Sequence, residues 1–291
     1  MDARTQGPPH YLGSGCSVTT RMLTRTGAPA LEVVEAEPEG TGVGAPILFV
    51  HGAFGGAWMW REIFLPSFAR RGRASMAVSL RGHGVSQGQE QLRTTRLSDY
   101  CADVRCALME CKEPPIIVAH SLGGLLAQML IGREKMRALV LLASLPPEGL
   151  MLNSLRLALT HPQVWLEAFL GSVTTSKLPI RMAAHHGLFS EALPREKVAR
   201  YSAMMVPEAP HALAEAHLSH PVFSATVFGI PTLVISGSRD PLVSCASGWR
   251  TALYHGAEHR TAEGISHFPH LDAGAETVAH DVLDWIEELG A

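Results

Sequence analysis

The chain has 291 residues, 46% of them hydrophobic, and a formal net charge of −3. That is enough apolar material for one sizeable buried core, or for one domain carrying an insertion, and it excludes a chain disordered throughout. A charge this close to neutral supplies no strong field for phosphates, so neither nucleic acid nor an anionic membrane surface is an expected partner.

Met1 to Ser14 is polar and rich in Gly and Pro, with no basic region leading into an apolar run, and a cytoplasmic protein is expected. The most apolar runs, Pro46 to Val50 and Leu139 to Leu145, are strand-sized. Both fall well short of the roughly 18 residues that span a bilayer, so no membrane segment is expected. The 5 cysteines make an odd number, and Cys101, Cys106 and Cys111 share a spacing of five. On a helix that spacing turns successive side chains by about 140°, which gathers no common face for a metal. With Cys16 and Cys245 isolated, all are read as small buried or half-buried thiols, and no metal site is expected.

In chain order, residues 1–16 read as a flexible tail. Ser17 to Thr24 and Leu31 to Glu37 read as two strands around a Gly27-Ala28-Pro29 turn, an antiparallel hairpin at a sheet edge. Buried parallel strands are predicted at Ile47 to Val50, Ser75 to Leu80, Ile116 to Ala119, Ala138 to Ala143 and Thr232 to Ser236. Helices are predicted at Trp58 to Arg70, Leu97 to Glu110, Leu122 to Ile131 and Ala275 to Leu289, so strand and helix alternate as in a doubly wound α/β sheet. The interval 146–228 breaks that rhythm: it lacks a convincing strand and carries helical patterns at Gln163 to Leu170, Arg195 to Met205 and Ala209 to Ala216. The expected organisation is a core of 17–145 and 229–291 with 146–228 inserted as a helical lid.

Chemistry concentrates in Ile116-Ile117-Val118-Ala119-His120-Ser121-Leu122-Gly123-Gly124, where an apolar strand meets a serine just before an amphipathic helix. The pattern is that of a nucleophile elbow, a turn so sharp that small residues are needed two places before and two after the serine; Ala119 and Gly123 meet that demand. At the helix N-terminus the serine hydroxyl is lifted clear of the sheet, and unpaired backbone N–H groups face any negative charge developing beside it. Leu122 is the expected donor among them.

From these residues the chain resembles the α/β-hydrolase family, from about Leu31 to the C-terminus, with a mostly parallel sheet flanked by helices as the implied fold. His51-Gly52-Ala53-Phe54-Gly55-Gly56, following a strand, resembles the family's oxyanion loop and implies Ala53 as the second oxyanion donor, with His51 fixing the loop. Leu80-Arg81-Gly82-His83-Gly84-Val85-Ser86 resembles a further family loop, with Ser79 where an aspartate is usual and structural parts implied for Arg81 and His83. The resemblance implies an acid just after the strand at 232–236, where Asp240 stands, with Glu148 as the alternative. It implies a base on the loop before the last helix, where Gly264-Ile265-Ser266-His267 fits and His270 is a neighbouring candidate. The order Ser121, Asp240, His267 is the one that separates this family from other triad enzymes.

The implied activity is cleavage of a small to medium, largely apolar carboxylic ester or related acyl substrate through an acyl-enzyme, without metal or organic cofactor, by a monomer or homo-oligomer. Leu150, Met151, Leu155, Trp165, Phe169, Leu188, Phe189, Met204 and Met205 give the lid its apolar character. A perhydrolase, a lyase and a receptor-like binder are the alternatives, because one site architecture serves several ends.

Overall fold

The computed structural model describes residues 16–174 and 177–290. The expected tail therefore lies outside the described residues except for Cys16, which already opens a strand. Strands β1 (Cys16–Arg25) and β2 (Ala28–Pro38) form the edge hairpin. They are followed by β3 (Ile47–Val50), β4 (Ser75–Val78), β5 (Ile116–His120), β6 (Ala138–Leu142), β7 (Thr232–Gly237) and β8 (Glu258–Ala262). These make one 8-stranded sheet in the order β1-β2-β4-β3-β5-β6-β7-β8. β1–β2 and β2–β4 pair antiparallel, and the other pairs run parallel.

The central strands read as unbroken apolar runs because both faces of the sheet are covered. Successive side chains alternate between faces. Ile47 and Phe49 of β3 and Ile116 and Val118 of β5 join one core, whereas Leu48, Val50, Ile117 and Ala119 join the other. The first core is closed by α1 (Phe64–Arg70) and α10 (Ala275–Glu288), through Phe64, Phe68, Val282 and Ile286. The second is closed by α2 (Leu97–Glu110) and α3 (Ser121–Leu130), through Tyr100, Val104, Leu125 and Leu126.

The helix expected over 58–70 is instead a 3-10 turn, Ala57–Trp60, followed by the shorter α1. Outside residues 146–228, one strand and one α-helix escape the sequence reading. Strand β8 is polar and partly exposed, as an edge strand is, and shows no apolar run to detect. Helix α9 (Cys245–His255) carries an interior glycine, normally a mark against a helix. The reason is contact: a Cβ at Gly248 would collide with the Ser236 hydroxyl of β7.

Between β6 and β7 every element among the described residues is helical, the α-helices being α4 (Met151–Thr160), α5 (Pro162–Val173), α6 (Leu178–Ala183), α7 (Arg195–Met204) and α8 (Pro210–Ala216). α5, α6 and α8 open with proline in the first turn, where its missing N–H costs nothing. The apolar side chains of this stretch divide. Leu150, Leu188, Phe189 and Met205 are buried, whereas Met151, Leu155, Phe169 and Met204 face solvent. No helix among the described residues is long and apolar enough to cross a membrane.

Candidate active site

The residues singled out from the sequence gather at the C-terminal ends of parallel strands, where chain ends and loops converge above the sheet. Ser121 is the first residue of α3 directly after β5, with φ 50°. A non-glycine residue seldom adopts that conformation and holds it only when its surroundings insist. Here they do. A Cβ on Gly123 would lie 2.7 Å from the Val50 carbonyl oxygen, so α3 sits directly against the backbone of β3. Leu122, in the first turn of α3, has a backbone N–H of the kind that lacks a partner within its own helix.

His267 lies on the loop between β8 and α10, with its Nε2 3.0 Å from Ser121 Oγ. Its Nδ1 is 2.8 Å from Asp240 Oδ2 on the loop after β7. Ionised Asp240 can only accept, so Nδ1 carries the proton and Nε2 is left as the acceptor for the serine hydroxyl. Asp240 Oδ1 accepts the N–H groups of Leu242 and Val243, which fixes the carboxylate independently of the histidine. All three side chains are buried, with residue exposures of 4% for Ser121, 3% for His267 and 6% for Asp240.

The alternatives lie elsewhere. Glu148 pairs with Arg250 at the surface. His270 is buried, stacked on Trp60 with ring centroids 4.3 Å apart, and neither ring nitrogen has a hydrogen-bond partner among the described residues. Burial, reinforced by His267 and His51, holds its pKa well below the ordinary histidine value. His120 turns away from the Ser121 side chain as its place on β5 requires, and its Nε2 donates to the His267 carbonyl at 2.8 Å. Its pKa is likewise depressed by burial and by His270 and His267.

The glycine-rich loop after β3 reaches the same place. A Cβ on Gly52 would fall 2.9 Å from the Ser121 Cβ, so the loop backbone lies against Ser121. His51 Nε2 accepts the Leu80 N–H at 3.0 Å, which leaves Nδ1 to donate to the Gly52 carbonyl at 2.7 Å. Burial, with the neighbouring His83, lowers the His51 pKa to about 3, so this tautomer is stable at neutral pH. Ala53, next along the loop, is half-buried.

Two carboxylates support the site without any signal in the local sequence. Asp272 accepts the Ser266 N–H beside His267 at 2.9 Å, and the Ser190 N–H of the helical insertion at 3.0 Å. The same helical stretch takes the His267 N–H at the Leu188 carbonyl, so the loop carrying His267 is bonded to it at several points. Glu32 of β2 fills the role vacated at Ser79: the Ser79 hydroxyl donates to it at 2.7 Å and accepts the Ala57 N–H at 2.8 Å. Glu32 also accepts the Val85 N–H at 3.1 Å, so the loop after β4 is still tied to a carboxylate, supplied from a neighbouring strand.

Among the described residues no group of three or more His, Cys, Asp or Glu is placed to hold a metal ion. All 5 cysteines are free.

A mostly parallel sheet with a serine in a strained turn after β5, and a histidine and an aspartate on later loops, defines a class. The sequence profile described as alpha/beta hydrolase fold matches residues 45–273, and the chain belongs to that family. No curated protein matches the chain. Among solved structures it is similar to a bromoperoxidase from Bacillus anthracis, at 17% identity and TM-score 0.67 over 92% of this chain and 100% of the other. It is similar to an epoxide hydrolase from Vigna radiata, at 18% identity and TM-score 0.67 over 93% and 98%. A thermophilic esterase from Thermogutta terrifontis is similar at 18% identity and TM-score 0.66, over 94% and 100%. Identities this low establish a shared fold and leave the reaction to the site itself.

Proposed function

We propose that the protein is a serine hydrolase that cleaves a small to medium, largely apolar carboxylic ester, or a related acyl substrate, through an acyl-enzyme. The observation that carries this reading is the buried relay in which Asp240 Oδ2, His267 and Ser121 Oγ are joined at 2.8 Å and 3.0 Å. In the proposed sequence Ser121 Oγ attacks the substrate carbonyl carbon while His267 Nε2 takes the hydroxyl proton. Asp240 holds the tautomer and stabilises the imidazolium. The tetrahedral oxyanion is received by the N–H groups of Ala53 and Leu122. The carbonyl then re-forms, the C–O bond to the alcohol breaks, and His267 returns its proton to the departing oxygen. Water repeats the steps on the acyl-enzyme, giving the free acid and restoring Ser121. The helical insertion, residues 146–228, would cover the site as a lid and contribute apolar surface to the acyl pocket.

The test is a panel of p-nitrophenyl esters of graded acyl length, with intact-mass detection of the acylated protein. Turnover is expected, with a single acyl adduct at Ser121 and none in Ser121→Ala, whose thermal unfolding should match the wild type. Absence of turnover and adduct on esters, thioesters and lactones would defeat the proposal. In that case a ligand raising the melting temperature with occupancy would favour a receptor-like binder. Adducts that require hydrogen peroxide and a carboxylic acid would favour perhydrolysis.

A further inference from the structure

Glu208, in the segment between α7 and α8, is a buried carboxylate that the relay does not use. Its Oε2 accepts the Phe54 N–H at 3.0 Å and meets His83 Nε2 at 3.0 Å. Its Oε1 accepts the Tyr100 hydroxyl and its neighbour's Ala209 N–H. Four segments, from the loops after β3 and β4, from α2 and from the insertion, thus meet on one side chain. The Val206 N–H, two residues earlier, donates to the Phe54 carbonyl at 3.0 Å. Both backbone polar groups of Phe54 are therefore bonded by a short stretch of the insertion.

Phe54 holds φ 64°, a left-handed conformation that a phenylalanine adopts only under constraint. The residue before it is Ala53. In a trans peptide the N–H points opposite to the preceding C=O, so the Ala53 N–H is directed away from the donors that hold the Gly52 carbonyl, His51 Nδ1 and Gly55 N. His51 and Gly55 set the peptide plane before Ala53, and Glu208 sets the one after it. Release of the second plane frees Ala53 to rotate, and an oxyanion donor stabilises a transition state only if it is aimed before charge develops.

We infer that Glu208 is a positioning residue for the oxyanion loop, a reach from the helical insertion that holds Ala53 in its donating orientation through Phe54. The inference rests on the acyl-transfer reading above. The ionic state of the cluster accords with it. Burial opposes charge on Glu208, but His83 and the Tyr100 and Ala209 donors outweigh burial and hold its pKa down at about 2. Burial likewise opposes charge on His83, and Glu208 overcomes it and raises the His83 pKa.

Two conservative variants separate reach from charge. Glu208→Asp keeps the charge for His83 but shortens the side chain by one methylene, which withdraws it from Phe54. Glu208→Gln gives up the charge but keeps an oxygen at full reach. Positioning predicts a loss of about tenfold to a hundredfold in kcat with little change in KM for Glu208→Asp, and near wild-type rates for Glu208→Gln. Affinity for a trifluoromethyl ketone, which forms the oxyanion on Ser121, should fall by the same factor in Glu208→Asp and hold in Glu208→Gln. The reverse ranking, or equal behaviour of the two variants, overturns the inference. Wild-type protein that forms no adduct with the ketone or with p-nitrophenyl acetate overturns the acyl-transfer reading itself, a result that the ranking of the variants cannot produce.

Discussion

Alanine at Gly52 would drive a wedge between the glycine-rich loop after β3 and Ser121. Its methyl would lie 2.6 Å from His120 Nδ1 and 2.9 Å from the Ser121 Cβ, where ordinary contact begins at 3.4 Å. The overlap is thus about 0.8 Å with the imidazole and about 0.5 Å with the serine. His120 has little room to yield: it is buried, its Nε2 donates to the His267 carbonyl, and its ring packs on Phe268 and His270. The strain therefore reaches both partners of the Ser121–His267 bond. Overpacking of this kind costs about 1–3 kcal/mol. A misplacement near 1 Å costs about a hundredfold in rate, so half that displacement or more predicts a loss of about tenfold to a hundredfold in kcat/KM. Urea unfolding gives the first quantity, and p-nitrophenyl acetate hydrolysis with fluorophosphonate labelling of Ser121 gives the second. Gly42→Ala is the control. Its methyl would meet only the Gly72 carbonyl and Pro38 at 3.5 Å, and it should be nearly silent in both assays. Wild-type rate and stability in Gly52→Ala would refute the placement of the loop against Ser121.

Asp240→Asn should lower kcat by about 10⁴ through the wrong histidine tautomer, and His267→Ala should be similarly severe. Glu148→Gln and His270→Ala should keep the rate within a few-fold, because Glu148 pairs with Arg250 and His270 packs on Trp60. Steady-state kinetics showing the opposite ranking would reassign acid or base. Ser79→Asp, which restores the usual family residue, should destabilise by roughly 1–3 kcal/mol at neutral pH. It sets a second carboxylate against Glu32 in place of a hydroxyl that bonds it at 2.7 Å; Glu32→Gln in the same chain should recover the loss in urea unfolding. The Glu208–His83 pair predicts a pH window. The depressed Glu208 pKa stabilises above its ordinary value of 4.5 and is lost as pH falls toward about 2. The raised His83 pKa stabilises below its ordinary value of 6.5 and is lost as pH climbs through the raised value. The stability gap between wild type and Glu208→Gln should peak between 4.5 and 6.5 and shrink on both sides; a gap independent of pH would contradict the ionic pairing.

The alternation of strands and helices, the family and the stretch around Ser121 are legible in the chain alone. Buried parallel strands must be apolar on both faces, and a strand that turns sharply into a helix must be flanked by small residues. Both requirements are local, so Ile116 to Gly124 reveals them without reference to the rest of the chain. Features that depend on distant partners emerge only in the folded molecule. Strand β8 exists because β7 offers it an edge, and α9 tolerates Gly248 because Ser236 leaves room for nothing larger. That Asp240 stands beside His267 while Glu148 pairs with Arg250 depends on which loops the strand order brings together. Glu32, Asp272 and Glu208 belong to no motif. A buried carboxylate is defined by the donors that converge on it, and here those donors come from segments far apart in the chain, brought together only when the sheet forms and the helices between β6 and β7 pack against its loops.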